Sequence, residues 1–494
     1  MKHFEIERRF VLYPCSMKRF LNQHGIEHRS ILITQFYLVA KEGEVVRYRR
    51  YGDTFVRTHK FGSGLVREEH EEPIEAHEFE EALRHNRGGI IRKRRLLFEL
   101  DGRTYELDSF KKPLKGLNVL EIEFEDESTA KSFELPRIFR KILAAEVTRM
   151  GDFSNGAISK SMKIPSIQTP LKKLLEQVDA REAFLKASVN VRFGPFESGA
   201  HALKTIIYSL AKTVAANRNE ILLGSKDPER LHQLRVAMRK IRALFSQTPT
   251  LFEPQWRERE RNRIAALMRK TGEMRDIDVY LAEMEHYRKM LPKKLHPGID
   301  RLERYLKSKE KTERERVDRF LAGKEFAQEL EALMRFAQDD SLQGLGEEAQ
   351  RPVILPIKKA LRLRYAKILK KGKRIDEHSP AGDYHAVRIE VKKLRYLMEF
   401  FSSILDSEAY NEMAGQLKSI QTILGKHQDL DVQREHLKFF SELSQMHDDI
   451  TLEAIAELRR QMGAAERKKR AEFRKAFTGF AQTAELFRKM ICKF

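Results

Sequence analysis

The strongest constraint on this chain is that it repeats itself. Residues 231–242 return, with their charge pattern intact, as residues 384–395, so that His232 and His385 stand 153 positions apart. On a helix, side chains advance by about 100° per residue, which gathers His232, Arg235, Arg239 and Arg242 into one quarter of the circumference and sets Leu234, Met238, Ile241 and Phe245 opposite. The second copy obeys the same geometry, with His385, Arg388, Lys392 and Arg395 against Val387, Val391, Leu394 and Met398. A second pair of segments, 272–279 and 425–432, shares the offset. Two pairs at one spacing predict a duplicated helical unit, each half presenting a basic stripe.

The surrounding text agrees. Amphipathic helical patterns run over 200–223, 228–247, 254–271, 275–290, 297–322, 324–336, 352–371, 383–405, 407–424, 430–446 and 450–490, with prolines and glycines at the joints. The formal charge of +21 is concentrated here: residues 1–155 carry a net +2 and residues 156–494 a net +19. Such a field implies a polyanionic partner. A chain of 494 residues exceeds one ordinary core. Its composition, 41% hydrophobic and 34% charged, is that of a globular protein, with no apolar run approaching the roughly 18 residues of a membrane span. The first ten residues carry charges where a signal peptide needs an apolar stretch, and only Cys15 and Cys492 occur, which predicts neither a disulfide framework nor a thiolate metal site. A reducing cytoplasm is the expected home.

The N-terminal part alternates with period two from Glu5 to about Glu125, the signature of antiparallel strands. What alternates is charge: Glu5, Glu7 and Arg9, then Arg47 and Arg49, Lys60, Glu69 and Glu71, Arg92 and Arg94, Glu106 and Asp108, and finally Glu121, Glu123 and Glu125. Taken singly, each charged face reads as the solvated side of a sheet. Taken together, with enough Phe, Ile, Leu and Val opposite to pack against helices, the faces fit a barrel with a polar lumen. Clustered carboxylates inside it require a cation and clustered bases an anion, and a metal–polyphosphate complex satisfies both.

Glu5-Ile6-Glu7-Arg8-Arg9 resembles the Glu-x-Glu-x-Lys signature of the CYTH superfamily, the triphosphate tunnel metalloenzymes. The likeness continues in order through residues 46–49, 58–60, 67–71, 92–95, 105–108, 116–124 and 146–155. The resemblance implies an α+β domain at residues 1–160, an eight-stranded antiparallel tunnel with flanking helices, in which triphosphates are cleaved or rearranged with Mg²⁺ or Mn²⁺. It assigns Glu5, Glu7, Glu121 and Glu123 as metal ligands, hard oxygen donors suited to those ions. Arg47, Arg49, Lys60, Arg92 and Arg94 would bind the triphosphate, and Glu5, Glu7 and Arg9 would form the catalytic set. Arg9 departs from the family's lysine: the charge survives, but a planar guanidinium cannot give up its proton. Tripolyphosphate is the first substrate to expect. ATP cyclisation, thiamine triphosphate hydrolysis and a catalytically silent polyphosphate-binding tunnel are the alternatives.

Residues 161–195, rich in Ser, Gly and Pro, read as a linker with a short helix at about 171–187. Beyond it, the twice-occurring His-x-x-Arg-[Val/Ile]-x-x-[Arg/Lys]-Lys-x-Arg element, each copy followed by x-Asp-x-Asp-Val, resembles the CHAD domain over residues 196–494. The implied fold is all-α, two pseudo-symmetric bundles with a basic channel that binds inorganic polyphosphate through His232, Arg235, Arg239, Lys240, Arg242, His385, Arg388, Lys392, Lys393 and Arg395. The residues support a linear anion on their own terms, since two facing stripes offer many charge-assisted contacts. Competing readings make the histidines buried structural residues or, less favoured, metal ligands. Asp276, Asp278, Asp429 and Asp431 read as helix caps or ion pairs orienting the bases. Nucleic acid ranks below polyphosphate, because no aromatics interleave the stripes for base stacking. The charged runs 257–261, 314–316 and 467–470 read as solvated faces.

Overall fold

The computed structural model describes residues 6–41, 44–61, 68–376, 378–443 and 446–493. Its N-terminal part is built on β1 (Ile6–Leu12), β2 (Arg29–Lys41), β3 (Glu44–Tyr51), β4 (Thr54–Phe61), β5 (Glu68–Pro73), β6 (Ile91–Leu100), β7 (Arg103–Phe110), β8 (Asn118–Phe124) and β9 (Leu143–Glu146). These form one antiparallel sheet in the order β5-β4-β3-β2-β6-β7-β8-β1-β9. The eight-stranded closed ring expected from the sequence is thus a nine-stranded open sheet among the described residues. Its seam stays open because β9 pairs with the edge of β1 that β8 leaves vacant. The sheet nonetheless curls, since Tyr37 on β2 lies in the field of Glu121 on β8, three strands away in the sheet order, and Arg95 on β6 reaches the same Glu121 at 3.2 Å. At the tight β6–β7 turn, Asp101 and Gly102 both adopt positive φ, the left-handed pair that a two-residue hairpin requires.

Helices cover the outer face: α1 (Met17–Gln23), α2 (Ala76–His85), α3 (Glu127–Ser132) and α4 (Arg137–Ile142); α5 (Asn155–Ser161) instead begins beside Lys93, which donates to the Asn155 side-chain oxygen at 3.3 Å. Phe98 and Tyr105 on that face stack against Phe139 of α4. The expected linker holds α6 (Leu171–Asp179), shorter than the sequence suggests. It is no loose tether: Ala187, Val189, Val191 and Phe193 are buried, and the Val189 and Phe193 amides donate to Glu399 and Ser403.

The helical part comprises α7 (Gly199–Leu222), α8 (Pro228–Gln247), α9 (Pro254–Arg269), α10 (Gly272–Met290), α11 (His296–Ala322), α12 (Lys324–Gln338), α13 (Ile354–Gly372), α14 (Ala381–Phe400), α15 (Ser407–Ser441), α16 (Asp449–Ala481) and α17 (Ala484–Cys492). The 153-residue offset maps α7 on α13, α8 on α14, α11 on α16 and α12 on α17, extending the duplication from two motifs to the whole unit. One pair differs. The first copy breaks between α9 and α10, whereas the second runs through as α15, joining two expected helices; the long final pattern splits into α16 and α17. Starts are set locally, by Asp227 before Pro228 on α8 and by Asp406 and Asp448 on α15 and α16, each accepting from an amide of the first turn. No described helix is long and apolar enough to cross a membrane.

Candidate functional site

Strand register decides which charges meet, because residues directly opposite on neighbouring strands share a face. On β1 and β8, Glu7 pairs with Glu123 and Arg9 with Glu121; Glu121 in turn pairs with Glu106 on β7, and Asp108 with Arg95 on β6. From the other side, Arg47 and Arg49 pair with Tyr37 and Gln35 of β2 and with Thr58 and Val56 of β4. Lys60 holds the same ladder parity by its backbone, its side chain lying outside the described residues, as does Glu5. The concave face therefore assembles Glu7, Arg9, Arg47, Arg49, Glu106, Asp108, Glu121 and Glu123 as the alternation predicts.

The exception is β6. Register places Lys93 and Arg95 on the concave face, opposite Ile33 and Ile31 of β2, and turns Arg92 and Arg94 to the outside. Arg92 is exposed, and Arg94 donates to the Ser30 hydroxyl at 2.7 Å. Four consecutive bases conceal the parity. The apolar residues do not resolve it, since Leu96 and Phe98 continue the parity of Arg92 and Arg94 while buried Ile91, with Leu97, continues that of Lys93 and Arg95; pairing with β2 and β7 does.

Lys93 and Asp108 are each 1% exposed and paired at 2.5 Å, and Arg95 grips Asp108 at 2.7 and 2.8 Å and also bonds Glu106. Burial alone would raise the Asp108 carboxyl, but Lys93 and Arg95 outweigh it and hold it down to about 2. This network is a satisfied floor. Above it the cations are less committed: Arg47 bonds Thr58 at 3.1 Å and Glu71 at 3.5 Å, yet its Nε and that of Arg49 are buried without a partner. Burial and the neighbouring Arg47 and Arg95 depress the Arg49 guanidinium. Such atoms suit an anion entering between β3 and β6. Arg9 lies 3.3 Å from Glu7 and donates to the Thr148 carbonyl at 3.3 Å. Glu121, deeply buried and beside Arg95, has its carboxyl raised by burial. No group of three His, Cys, Asp or Glu among the described residues is arranged to hold a metal. Glu7 opposite Glu123 does supply two carboxylates, a donor set that fits Mg²⁺ or Mn²⁺ when phosphate oxygens and water complete the shell.

In the helical part α8 packs on α14, bringing the two stripes together. Arg239 on α8 lies in the fields of Arg388 and Arg275, and Lys392 in those of Arg388, Arg239 and Arg395. Burial with those neighbours lowers Lys392 to about 8. Burial and Arg275 likewise lower His232, favouring the neutral imidazole. His385 instead bonds Gln428. Arg235 is anchored to the Met268 carbonyl and Thr271 hydroxyl, both at 2.6 Å, and Arg395 bonds Gln421. Buried Nε atoms on Arg235, Arg242 and Arg388 have no partner. A separate cavity of about 940 Å³ lies to one side of the first stripe, where Arg235, Arg242 and Arg269 meet an apolar wall that includes Met268, Tyr280 and Phe440, with no residue of α14 in its lining.

Two expected members leave the stripe, and they are repeat-equivalent. Lys240 is buried against Glu399 at 2.5 Å and the Ala187 carbonyl; Lys393 lies 3.4 Å from buried Glu390, which also holds Arg364 and Lys371. One residue beyond the third basic position, a side chain turns about 100° from the groove into the bundle. Arg275, by contrast, joins the groove without having been singled out, its signal being its place beside Asp276 in the second repeated motif. The aspartates are not caps. Asp276 and Asp278 lie inside α10 and Asp429 and Asp431 deep within α15. Asp276 faces Arg235, Asp429 faces Arg388 and Lys392, and Asp278 bonds Arg314 at 3.4 Å. Nor is run 467–470 wholly solvated, since Arg470 bonds Glu466 at 2.9 Å and covers the Tyr384 ring.

Comparison with known proteins follows the same division. The CHAD domain family matches residues 205–438. The chain is 30% identical over 162 residues to the inorganic triphosphatase of Nitrosomonas europaea, an alignment covering 32% of this chain and 98% of that protein. A crystal structure of an inorganic triphosphatase aligns with 33% of this chain and 97% of its own, at 28% identity and a TM-score of 0.25. The crystal structure of the CHAD domain from the plant Ricinus communis aligns with 61% of this chain and 96% of its own, at 20% identity and a TM-score of 0.48. A curled sheet with its charges on the concave face, related to an inorganic triphosphatase and followed by a matched and duplicated helical unit, places this chain in the CYTH–CHAD family.

Proposed function

We propose that this protein is a metal-dependent inorganic triphosphatase acting on tripolyphosphate, fused to a helical domain that binds inorganic polyphosphate, and that it works in the cytoplasm. The observation that carries the reading is the register of the concave face, where the unpartnered Nε atoms of Arg47 and Arg49 belong to the same face of the sheet as the carboxylates of Glu7, Glu121 and Glu123. Glu7 and Glu123, with Glu5, would hold Mg²⁺ or Mn²⁺, which when bound neutralises phosphate charge and supplies an activated water. Arg47, Arg49 and Lys60 take the phosphate oxygens and line up the terminal phosphoryl group. The buried Lys93–Asp108–Arg95 floor keeps the lumen rigid, and catalysis is positioning plus electrostatics. Arg9 holds Glu7 in place; as a guanidinium it donates but does not take up a proton.

In the helical domain, Arg235, Arg239, Arg388 and Lys392, with Arg275, His232, Arg242, His385 and Arg395, form the polyphosphate groove, while Lys240 and Lys393 brace it from behind. Support comes from clustered cations of which Arg239, Arg388 and Lys392 form no ion pair within the described residues.

The test is phosphate release from tripolyphosphate, long-chain polyphosphate, ATP and thiamine triphosphate with each metal. Glu7→Gln and Glu123→Gln are expected to lower tripolyphosphate turnover by about a hundredfold or more, and Arg49→Met by a similar factor. Arg92→Met, on the outer face, is expected to change it by less than about threefold, the size of an ordinary surface substitution. Absence of turnover with either metal, alongside intact polyphosphate binding, would reduce the protein to a binding module.

A further inference from the structure

The two cysteines stand at opposite ends of the sequence, and the fold brings them together. Cys15 lies in the loop that leaves β1, and Cys492 is the last residue of α17. The Cys15 thiol donates to the Cys492 carbonyl at 3.6 Å across a separation of 477 residues. Between them sits Lys358 of α13, its ammonium 3.0 Å from the Cys15 sulfur, 3.6 Å from the Cys492 sulfur and 3.0 Å from the Pro14 carbonyl. Lys358 is 3% exposed and Cys492 5%.

Lys358 bonds no carboxylate among the described residues; the ionisable groups it bonds are the two thiols. A cation this close to two sulfurs favours the thiolate form of one of them over the thiol. The neighbouring Cys15 thiol and the Lys358 ammonium, opposed by burial, pull Cys492 down to about 6, and burial pushes Cys15 up. The result is a thiolate held beside a thiol at the seam between the two domains, a pairing that the triphosphatase chemistry does not use.

We propose that Cys15 and Cys492 form an oxidation site at which a peroxide converts the two thiols into a disulfide, stapling the tunnel domain to the last helix of the CHAD domain. The Cys492 thiolate attacks one peroxide oxygen; the O–O bond breaks, hydroxide departs and Cys492 becomes a sulfenic acid. Cys15 sulfur then attacks Cys492 sulfur, the S–O bond breaks, and the departing hydroxide takes the Cys15 proton as water. With the thiolate consumed, Lys358 gives its proton to the first hydroxide, so two electrons reduce the peroxide and two waters leave. The sulfurs close to a bond of about 2.05 Å. Because Cys15 follows directly on the strand that carries Glu7 and Arg9, the staple fixes one end of that strand against the helical domain. In a reducing compartment such a bond forms under oxidative challenge and is reversed by thiols.

The experiment uses the full chain under native conditions: exposure to hydrogen peroxide, quenching with an alkylating reagent, then intact mass and peptide mapping. The expected product has lost two hydrogens, carries no alkyl group, yields one peptide pair joining Cys15 to Cys492, and reverts with dithiothreitol. Cys15→Ser and Cys492→Ser are each expected to abolish the link. Its rate should rise with pH through about 6 in the wild type, and Lys358→Met should move that midpoint toward the ordinary thiol range. Should Lys358→Met fail to fold, the wild-type pH profile alone decides the activation: a midpoint near 9, the ordinary value for cysteine, overturns it. Two alkylated cysteines after peroxide, independent oxidation of each sulfur, or a link between two copies would overturn the site itself.

Discussion

Lys392 shows how much a single position owes to its neighbours. Burial, Arg388 and Arg239 bring its ammonium from an ordinary 10.5 to about 8, with only Asp429 opposing them. A depressed lysine has a definite sign in the linkage: between about 8 and 10.5 the unfolded chain binds a proton that the folded chain does not, so this residue's contribution makes stability rise with pH across that window. A bound polyanion favours the charged form and restores the proton. Polyphosphate binding is therefore expected to take up a proton near pH 8 and to weaken above it, by at most about tenfold per pH unit. Calorimetry in buffers of different ionisation enthalpy reads the proton directly; a Lys392→Met variant with the same pH profile as the wild type would remove Lys392 from the groove. Asp108 shows the same slope in a lower window, but as a stabilising group rather than a penalised one. Its carboxyl, held at about 2 against an ordinary 3.8, contributes stability that is complete above the unfolded value and lost as pH falls through about 2. Asp108→Asn leaves Lys93 buried without its counter-charge, while Arg95 keeps Glu106 and Glu121, and is expected to cost about 3–5 kcal/mol in denaturant unfolding.

At the scale of elements, the duplicated helices keep their order and spacing while their glycines take different roles. Gly425 lies inside α15, at the position repeat-equivalent to Gly272 where the first copy starts a new helix, and nothing lies within 4 Å of a Cβ added there. Gly425→Ala is expected to stabilise by about 0.5–1 kcal/mol, since an interior helical glycine carries that entropic cost. Gly372, at the end of α13, would instead drive a Cβ to 2.1 Å from the Phe477 ring. Gly372→Ala is expected to destabilise by about 1–3 kcal/mol through overpacking between α13 and α16. Chemical denaturation of both variants separates the cases, and a shift of the same sign in both would contradict the packing described. Strand parity shows the limit of reading elements alone. Alternation places Glu7, Arg9, Arg47, Arg49, Glu121 and Glu123 on one face because Ile6, Phe10, Val46, Tyr48, Leu120 and Ile122 mark the other, with only Arg8 and Arg50 interrupting the pattern. On β6 four consecutive bases blur it, and only pairing with β2 and β7 sets Lys93 and Arg95 inside.

At the scale of the molecule, the two domains share one apolar core that runs from the sheet through the linker into the helices. Polar ties cross the junction as well: the buried Tyr13 hydroxyl donates to the Ile404 carbonyl at 2.8 Å, and Lys493 covers the Tyr13 ring. Tyr13→Phe leaves that carbonyl without its donor and is expected to cost about 1–3 kcal/mol. If the domains unfold as one unit, the loss shifts the whole transition monitored by far-ultraviolet circular dichroism; a change confined to a minor early phase would mean that the junction opens separately. The packed linker points to a fixed relation between lumen and groove, where composition alone suggested a tether.

By itself, the sequence determined the duplication, the helical and stranded halves, the location of the cationic field and most members of both charged faces, because these follow from periodicity and spacing, which are local. The tertiary structure alone decided the open nine-stranded sheet, the inward turn of Lys93 and Arg95, the withdrawal of Lys240 and Lys393 into ion pairs and the meeting of Cys15 with Cys492. Each of those depends on which distant backbone lies alongside, and a side chain's neighbours across a sheet or a bundle are set by register and packing that no local pattern records.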